Sequence, residues 1–234
     1  MKIHRFYTGA VKDKSGPLVL DNNLWVHDKA LVNQWLNVLR LKVGDKLVLF
    51  NDKSERLYQI NVIEAPFSVN LKLITEQQRF LPKRHIYLMW GLLKKDKNDW
   101  VLQKATELGV RNFVPLMADR SQKTGFNIDR AKKIIIEASE QCGRSDIAEV
   151  REPITVKEAL AEYKNIDLFV CEQSETVQNH IEINRVGLFI GPEGGWSDNE
   201  KQLFITNNLG YLNLNDFTLR AETAAVIAVS KMLQ

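Results

Sequence analysis

The chain has 234 residues, 44% of them hydrophobic and 26% charged, with a formal net charge of +3. That profile belongs to a globular chain with enough material for one large or two small domains, and it excludes collagenous, low-complexity and disulfide-stapled classes. No apolar run approaches the roughly 20 residues a membrane helix needs, so no membrane partner is expected.

The N-terminal stretch "MKIHRFYTGAV" has no apolar signal core, which makes the cytoplasm the expected location. Cys142 and Cys171 lie far apart in no metal-like spacing, and His4, His27, His85 and His180 are scattered. A reduced compartment fits, and no metal site is expected.

Residues 1–75 read as mostly β. "PLVL" (17–20), "KLVLFN" (46–51), "LYQINVI" (57–63) and "VNLKLI" (69–74) are short, β-rich and separated by turn residues. "VGD" (43–45) marks a turn before a strand. One helix near 28–40 interrupts them, with Leu31, Trp35, Leu36 and Leu39 at helical spacing. These features predict a small barrel or curled sheet with one inserted helix. Residues 1–75 carry 11 Lys and Arg against 7 Asp and Glu, a net of +4. A second concentration follows at 79–104, with seven basic residues against two acids. Both suit a polyanion, or equally an ordinary solvated surface.

From about 84 the pattern changes, after the polar, proline-bearing "TEQQRFLPKR". We expect residues 1–75 and 76–234 to form two domains. In the second, strands at 86–93, 112–117, 166–171, 186–190 and 211–214 alternate with helices near 97–109, 129–142, 155–164, 197–208 and 222–233. This order predicts an α/β domain with a largely parallel sheet and helices on both faces. Thr155 with Glu158, and Ser197 with Glu200, have capping-box spacing.

"IGPEGGWSDNE" (190–200) leaves a buried strand through three glycines and a proline. Ligands of open parallel sheets bind beyond the carboxyl ends of the strands, and bare backbone lets them approach. The dinucleotide and P-loop fingerprints are absent, and Glu193 would repel phosphate. The loop therefore suits a cofactor with a neutral or cationic working end, though a plain strand-to-helix turn accounts for the residues equally well. "LNLNDFTLRAETAAVIAVS" (212–230) supplies a second strand end, where Asn215 can take a left-handed backbone. Arg220 and Glu222 flank the helix start there. Arg220 can serve a site or merely pair with a carboxylate, and Glu222 can simply stabilise the helix terminus.

These two segments together resemble the RsmE family, the bacterial 16S rRNA uridine-N3 methyltransferases of the SPOUT superfamily. "KKDKNDWVLQKATELGV" (94–110), "EASEQCGR" (137–144) and "LNVLRLKVGD" (36–45) extend the resemblance over nearly the whole chain. It implies a PUA-like RNA-binding barrel followed by an α/β domain with a deep trefoil knot, working as a homodimer on 16S rRNA of the small ribosomal subunit. The implied cofactor is S-adenosylmethionine, bound at Val170, Cys171, Glu172, Ile190, Gly191, Gly194, Gly195, Leu214, Asn215, Leu219 and Ala221. Relatives commonly read L-G-P-R-I-L-R in the last loop; here Leu214, Leu219 and Arg220 match, while Asn215, Asp216, Phe217 and Thr218 do not. Relatives often carry a proline shortly after the "QxGR" stretch, where this chain has Ile147-Ala148.

Uridine N3 must lose its proton before it attacks a methyl group. Glu193 and Glu222 are candidate bases, and Arg220 suits the charge that develops on the uracil oxygens. Arg5, Arg40, Lys94, Lys97, Gln141 and Arg144 are the candidate RNA contacts. Ribose 2′-O methylation is the rival chemistry, but the segments typical of those enzymes are missing. A non-catalytic ribosome-assembly factor is the rival of another class.

Overall fold

The computed structural model describes residues 3–9, 11–13, 16–64, 66–121, 125–172 and 184–233. His180 lies outside them. The chain forms two compact units: Met1–Leu81 with Ser139–Asp146, and Pro82–Ala138 with Ile147–Gln234.

The first unit holds β1 (His4–Tyr7), β2 (Lys12–Asp13), β3 (Gly16–Pro17), β4 (Asn23–Val26), α1 (Lys29–Asn33), β5 (Lys46–Phe50), β6 (Glu55–Glu64) and β7 (Ser68–Glu76). Five of the strands make one sheet in the order β1-β5-β6-β7-β4. Register shifts in β6 bend the sheet, as bulges do. Asp28 caps α1 by accepting a hydrogen bond from the Leu31 amide at 2.8 Å. The helix then widens over Gln34–Val38, where Leu39 N–H bonds to the Gln34 carbonyl five residues back. That extra residue per turn keeps Trp35 inside the core, fully buried, with its ring 5.5 Å from Phe6. The turn at Lys42–Asp45 forms as expected, with Gly44 at φ +93.

Two strands here, β1 and β4, carry too little pattern to be seen in sequence. Conversely, "PLVL" is not a strand over its length. Leu18 and Leu20 are buried and Val19 is exposed, which mimics a strand's alternation, but only Gly16–Pro17 pairs.

The second unit holds β8 (His85–Gly91), α2 (Lys95–Glu107), β9 (Asn112–Leu116), β10 (Glu149–Val150), α4 (Val156–Glu162), β11 (Asp167–Cys171), β12 (Arg185–Ile190), α5 (Asp198–Thr206), β13 (Gly210–Leu212) and α6 (Ala221–Lys231). Helix α3 (Ile128–Cys142) precedes β10, and its last residues group with the first unit. The six strands pair in the order β10-β9-β8-β12-β11-β13, and every ladder is parallel.

Burial on both faces explains the near-continuous apolar runs of β8 and β12. Ile86, Leu88, Trp90, Val186, Leu188 and Ile190 face one core, with Val101 and Ala105 of α2, Ile135 of α3 and Ala225 and Val229 of α6. Tyr87, Met89 and Phe189 face the other, with Ala159 and Leu160 of α4 and Phe204 of α5. Both expected capping boxes are present, at Thr155–Glu158 and Ser197–Glu200. The last strand stops at Leu212 rather than 214, because Asn213 and Asn215 turn the chain with side-chain bonds to the backbone of Asn215 and Asp216. No helix of the described residues is long and apolar enough to cross a membrane.

Phe204 is fully buried between Trp196 and Phe189, with ring centroids at 5.0 and 5.4 Å. Phe204→Ala should cost about 3–5 kcal/mol of stability, read as a shift of the denaturant midpoint. A loss under about 1 kcal/mol would mean that this face is not closely packed.

Candidate active site

All strands of the second unit run in one direction, so the loops after β11, β12 and β13 leave the same edge. Between them lies a cleft of about 600 Å³. Its lining includes Cys171 and Glu172 after β11, Ile190, Gly191, Pro192, Glu193, Gly195 and Trp196 after β12, and Leu214–Ala221, except Asp216, after β13. Lys97 and Ala224, from α2 and α6, complete it.

The bare backbone of 190–195 has specific causes. Gly195 sits at φ +68, a conformation side chains resist, and a Cβ there would meet nothing within 4 Å. The N–H of Gly195 closes a turn onto the Pro192 carbonyl at 2.9 Å. Pro192 packs so closely on the end of β8 that a Cβ at Gly91 would lie 2.6 Å from its Cδ. The Arg120 guanidinium donates to the Gly194 carbonyl at 3.2 Å. Beyond the loop, Glu200 accepts from the Ser197 amide at 2.8 Å and from the Asp119 amide at 3.0 Å. The loop is thus held from both sides.

Lys97 sits between the two carboxylates singled out from the sequence. Its Nζ donates to Glu193 Oε1 at 3.0 Å and lies 3.5 Å from Glu222 Oε2, the latter without hydrogen-bond alignment. Asn98 places it: this buried side chain accepts from Trp90 Nε1 at 2.9 Å and the Leu93 amide at 3.1 Å, and donates to the Leu93 carbonyl at 2.8 Å. Partial desolvation pushes Glu193 up. The hydrogen bond from Lys97, a backbone hydrogen bond and the charges of Lys97 and Lys94 outweigh it and hold the carboxyl below its usual range. The Glu193 hydrogen bond, countered by desolvation and helped by both carboxylate charges, raises Lys97. Burial pushes the Cys171 thiol well up, so it stays protonated. Lys201 pairs with Glu172 at 3.3 Å.

Arg220 is exposed at the N-cap of α6 and lines the cleft. Among the described residues its guanidinium has no hydrogen-bond or ion-pair partner, so the simple ion-pair account does not describe it. Of the residues expected at a cofactor, Val170 and Gly194 do not line the cleft; Val170 is fully buried in the second core. Asn215 lines it without using the left-handed backbone open to asparagine; the positive-φ residues outside glycine are Arg40 and Asn208 among those described. Side-chain bonds do the turning at Asn215 instead. Pro192, Phe217 and Thr218 line the cleft within the two loops read from the sequence, whereas Trp196 and Ala224 lie just beyond them. For these two the only signal was adjacency to those loops.

The expected RNA contacts divide. Arg40, Lys94 and Gln141 are exposed. Arg5 and Arg144 instead depart from that role. Arg5 forks onto buried Glu55, its Nη2 3.1 Å from Oε2, and lies over the Phe50 ring at 5.0 Å. Arg144 is 6% exposed and meets Asp146 at 2.8 Å. A buried carboxylate requires such a partner, which keeps both guanidiniums inside the first unit.

Lys97→Met should move the Glu193 carboxyl titration upward toward the ordinary value, read by carbon NMR. A depressed carboxylate adds stability at neutral pH that is lost as pH falls through its folded value. The variant should therefore show a flatter acid-side stability profile. An unmoved Glu193 midpoint would show that Lys97 does not hold it.

Residues 81–233 match the model of the RNA methyltransferase domain, and residues 36–67 that of the RNA methyltransferase PUA domain. Ribosomal RNA small subunit methyltransferase E of Rickettsia conorii is 30% identical over 240 residues, covering 99% of this chain and 96% of the relative. The protein of that name from Bacillus subtilis is 28% identical, over 85% of each chain. Among solved structures, ribosomal RNA small subunit methyltransferase E of Neisseria gonorrhoeae, bound to S-adenosyl methionine, superposes with a TM-score of 0.86 at 26% identity, over 99% of this chain and 97% of its own. A Legionella pneumophila protein, in complex with the same cofactor, gives a TM-score of 0.84 at 28% identity, over 100% and 98%. With its parallel sheet, its loop-built cleft and these matches over its full length, the chain belongs to the ribosomal RNA small subunit methyltransferase E family.

Proposed function

We propose that this chain transfers a methyl group from S-adenosylmethionine to N3 of a uridine in 16S rRNA. The observation that carries this reading is Arg220, a guanidinium without a partner among the described residues, in a cleft whose carboxylates Glu172, Glu193 and Glu222 lie beside lysines. The cleft fits the cofactor: its volume suits a nucleoside-sized ligand, Gly195 leaves open the space a Cβ would take, and negative charge lies where a cation is to be held. The names of the relatives and the cofactor in two structural neighbours support the same reading.

Residues 171–172, 190–195 and 214–221 hold the cofactor, largely through backbone. When bound, it supplies an electrophilic methyl group on a sulfonium. Glu193, whose carboxyl Lys97 helps hold below its usual range, and Glu222 beside it would complement that charge. Arg220 donates to the uracil oxygens and stabilises the charge left when N3 loses its proton. The hydrogen bond from Lys97 makes Glu193 a weak base. Glu222, 3.5 Å from Lys97 Nζ without an aligned hydrogen bond, is the other candidate to take the proton. The first 75 residues, with their net charge of +4, supply RNA affinity. Arg40 serves there, and Lys94 from the second unit. The reading places the enzyme in the cytoplasm and carries a trefoil knot in the second unit.

We also infer a homodimer through the second unit. Helix α6 buries Ala221, Ala225, Ala228 and Val229 within its own chain and leaves Ala224, Val226 and Ile227 partly exposed on its other sides. Light scattering at micromolar concentration should give twice the chain mass; a monomer removes the inference.

Methylation of small-subunit RNA with labelled cofactor, followed by mass mapping, should place the label on a uracil base. Label on ribose, or cofactor binding without transfer, would replace this reading with the 2′-O or assembly-factor alternative. Arg220→Ala should slow single-turnover methylation on the order of a hundredfold with cofactor affinity retained. Arg220→Lys should rescue little, since a point charge serves two carbonyl oxygens poorly. A variant that melts lower yet turns over near the wild-type rate would leave Arg220 as scaffold.

A further inference from the structure

Phe217 is 77% exposed, the highest exposure among the large apolar side chains described, yet it lines the cleft. A phenyl ring held in water forgoes the stabilisation of burial, so its position calls for an explanation. The loop holds it out. Asn213 accepts from the Asn215 amide at 3.2 Å, Asn215 accepts from the Asp216 amide at 2.9 Å, and Lys231 ties the Asn213 carbonyl at 3.1 Å. Leu214, before the turn, packs against the core, and Leu219, after it, is half-buried, so the apolar inward positions of the loop are already filled.

Resting on the methyl-transfer reading above, we propose that Phe217 is the stacking platform for the acceptor base. A nucleobase has a flat aromatic face and a polar edge. The same loop offers a ring for the face and, three residues on, the Arg220 guanidinium for the edge. Protein recognition of unpaired bases uses this pair of chemistries, with bases splayed out onto aromatic side chains. A base modified at N3 has to leave its pair to be reached. The cofactor is the less suitable occupant, because the glycine loop gives it backbone rather than a ring. Since every base has a π face, the ring supplies affinity and orientation, and Arg220 supplies selection.

The test uses the full chain with Phe217→Ala, Phe217→Leu and Phe217→Tyr. Cofactor affinity is read by calorimetry, and single-turnover methylation is followed against RNA concentration at saturating cofactor. We expect unchanged cofactor affinity in all three. Alanine and leucine should lose roughly ten- to hundredfold in the ratio of rate to half-saturating RNA, and tyrosine should retain most of it. A leucine variant equal to wild type overturns the proposal, since size without an aromatic face then suffices. Cofactor affinity falling in step with rate overturns it in favour of a ring over the cofactor. A change in mass by light scattering overturns it in favour of a second copy. Should the wild-type chain methylate no RNA, the methyl-transfer reading fails on its own. Anisotropy of a labelled uridine-containing RNA, wild type against Phe217→Leu, then decides the ring: weaker binding by the variant supports stacking and equal binding refutes it.

Discussion

Parallel pairing of β11, β12 and β13 is the constraint on which the site depends. Because the three strands run one way, their carboxyl ends share an edge, and the loops at 171–172, 190–196 and 214–221 converge there. The two faces of β12 pack into different cores, so a slip by one residue would exchange Phe189 and Ile190 between cores filled to fit the other. The cleft inherits its shape from that register.

The loops themselves are weakly apolar and hold few side chains that pack. Polar ties replace packing. Asn98 uses one buried amide to satisfy the end of β8 and the start of α2, and Lys97 beside it spans Glu193 and Glu222. Glu200 and Arg120 hold the far side of the glycine loop. An arrangement of this kind keeps bare backbone in place while leaving it uncovered. It also sorts the charged groups of the cleft: the two candidate carboxylates share a cation, and Arg220, for which a site role and an ion pair were both open, has no partner among the described residues.

A similar sorting occurs in the first unit. Glu55 is 1% exposed and receives Arg5 and the Ser145 hydroxyl. The Phe80 amide donates to Ser145 Oγ at 2.8 Å, and the Tyr7 amide to Glu140 Oε1 at 2.8 Å. Breaking one member of such a set leaves a buried charge unpaired, which costs far more than the set contributes when whole. That is why two arginines well placed by sequence to meet phosphate are held inward.

Much of this was legible in the sequence. The alternation of apolar strands and amphipathic helices pointed to the second unit's layers, since burial on two faces leaves short continuous apolar runs, and their β-branched content and the helices between them mark them as strands. Thr155–Glu158 and Ser197–Glu200 marked two helix starts, because a capping box is a local interaction satisfied within four residues. The glycine loop and "LRAETA" located the cleft, because strand ends and helix starts are local as well. What only the tertiary structure decided were pairings between residues distant in the chain: Lys97 with Glu193 and Glu222, Arg5 with Glu55, Arg120 with Gly194. The short strands β1 and β4 belong here too, since their partners β5 and β7 make them strands. So does Phe217, whose exposure depends on which neighbours the fold brings near. Local interactions are written in spacing, whereas the partner of a charge or the cover of a ring is set by the path of the chain through space.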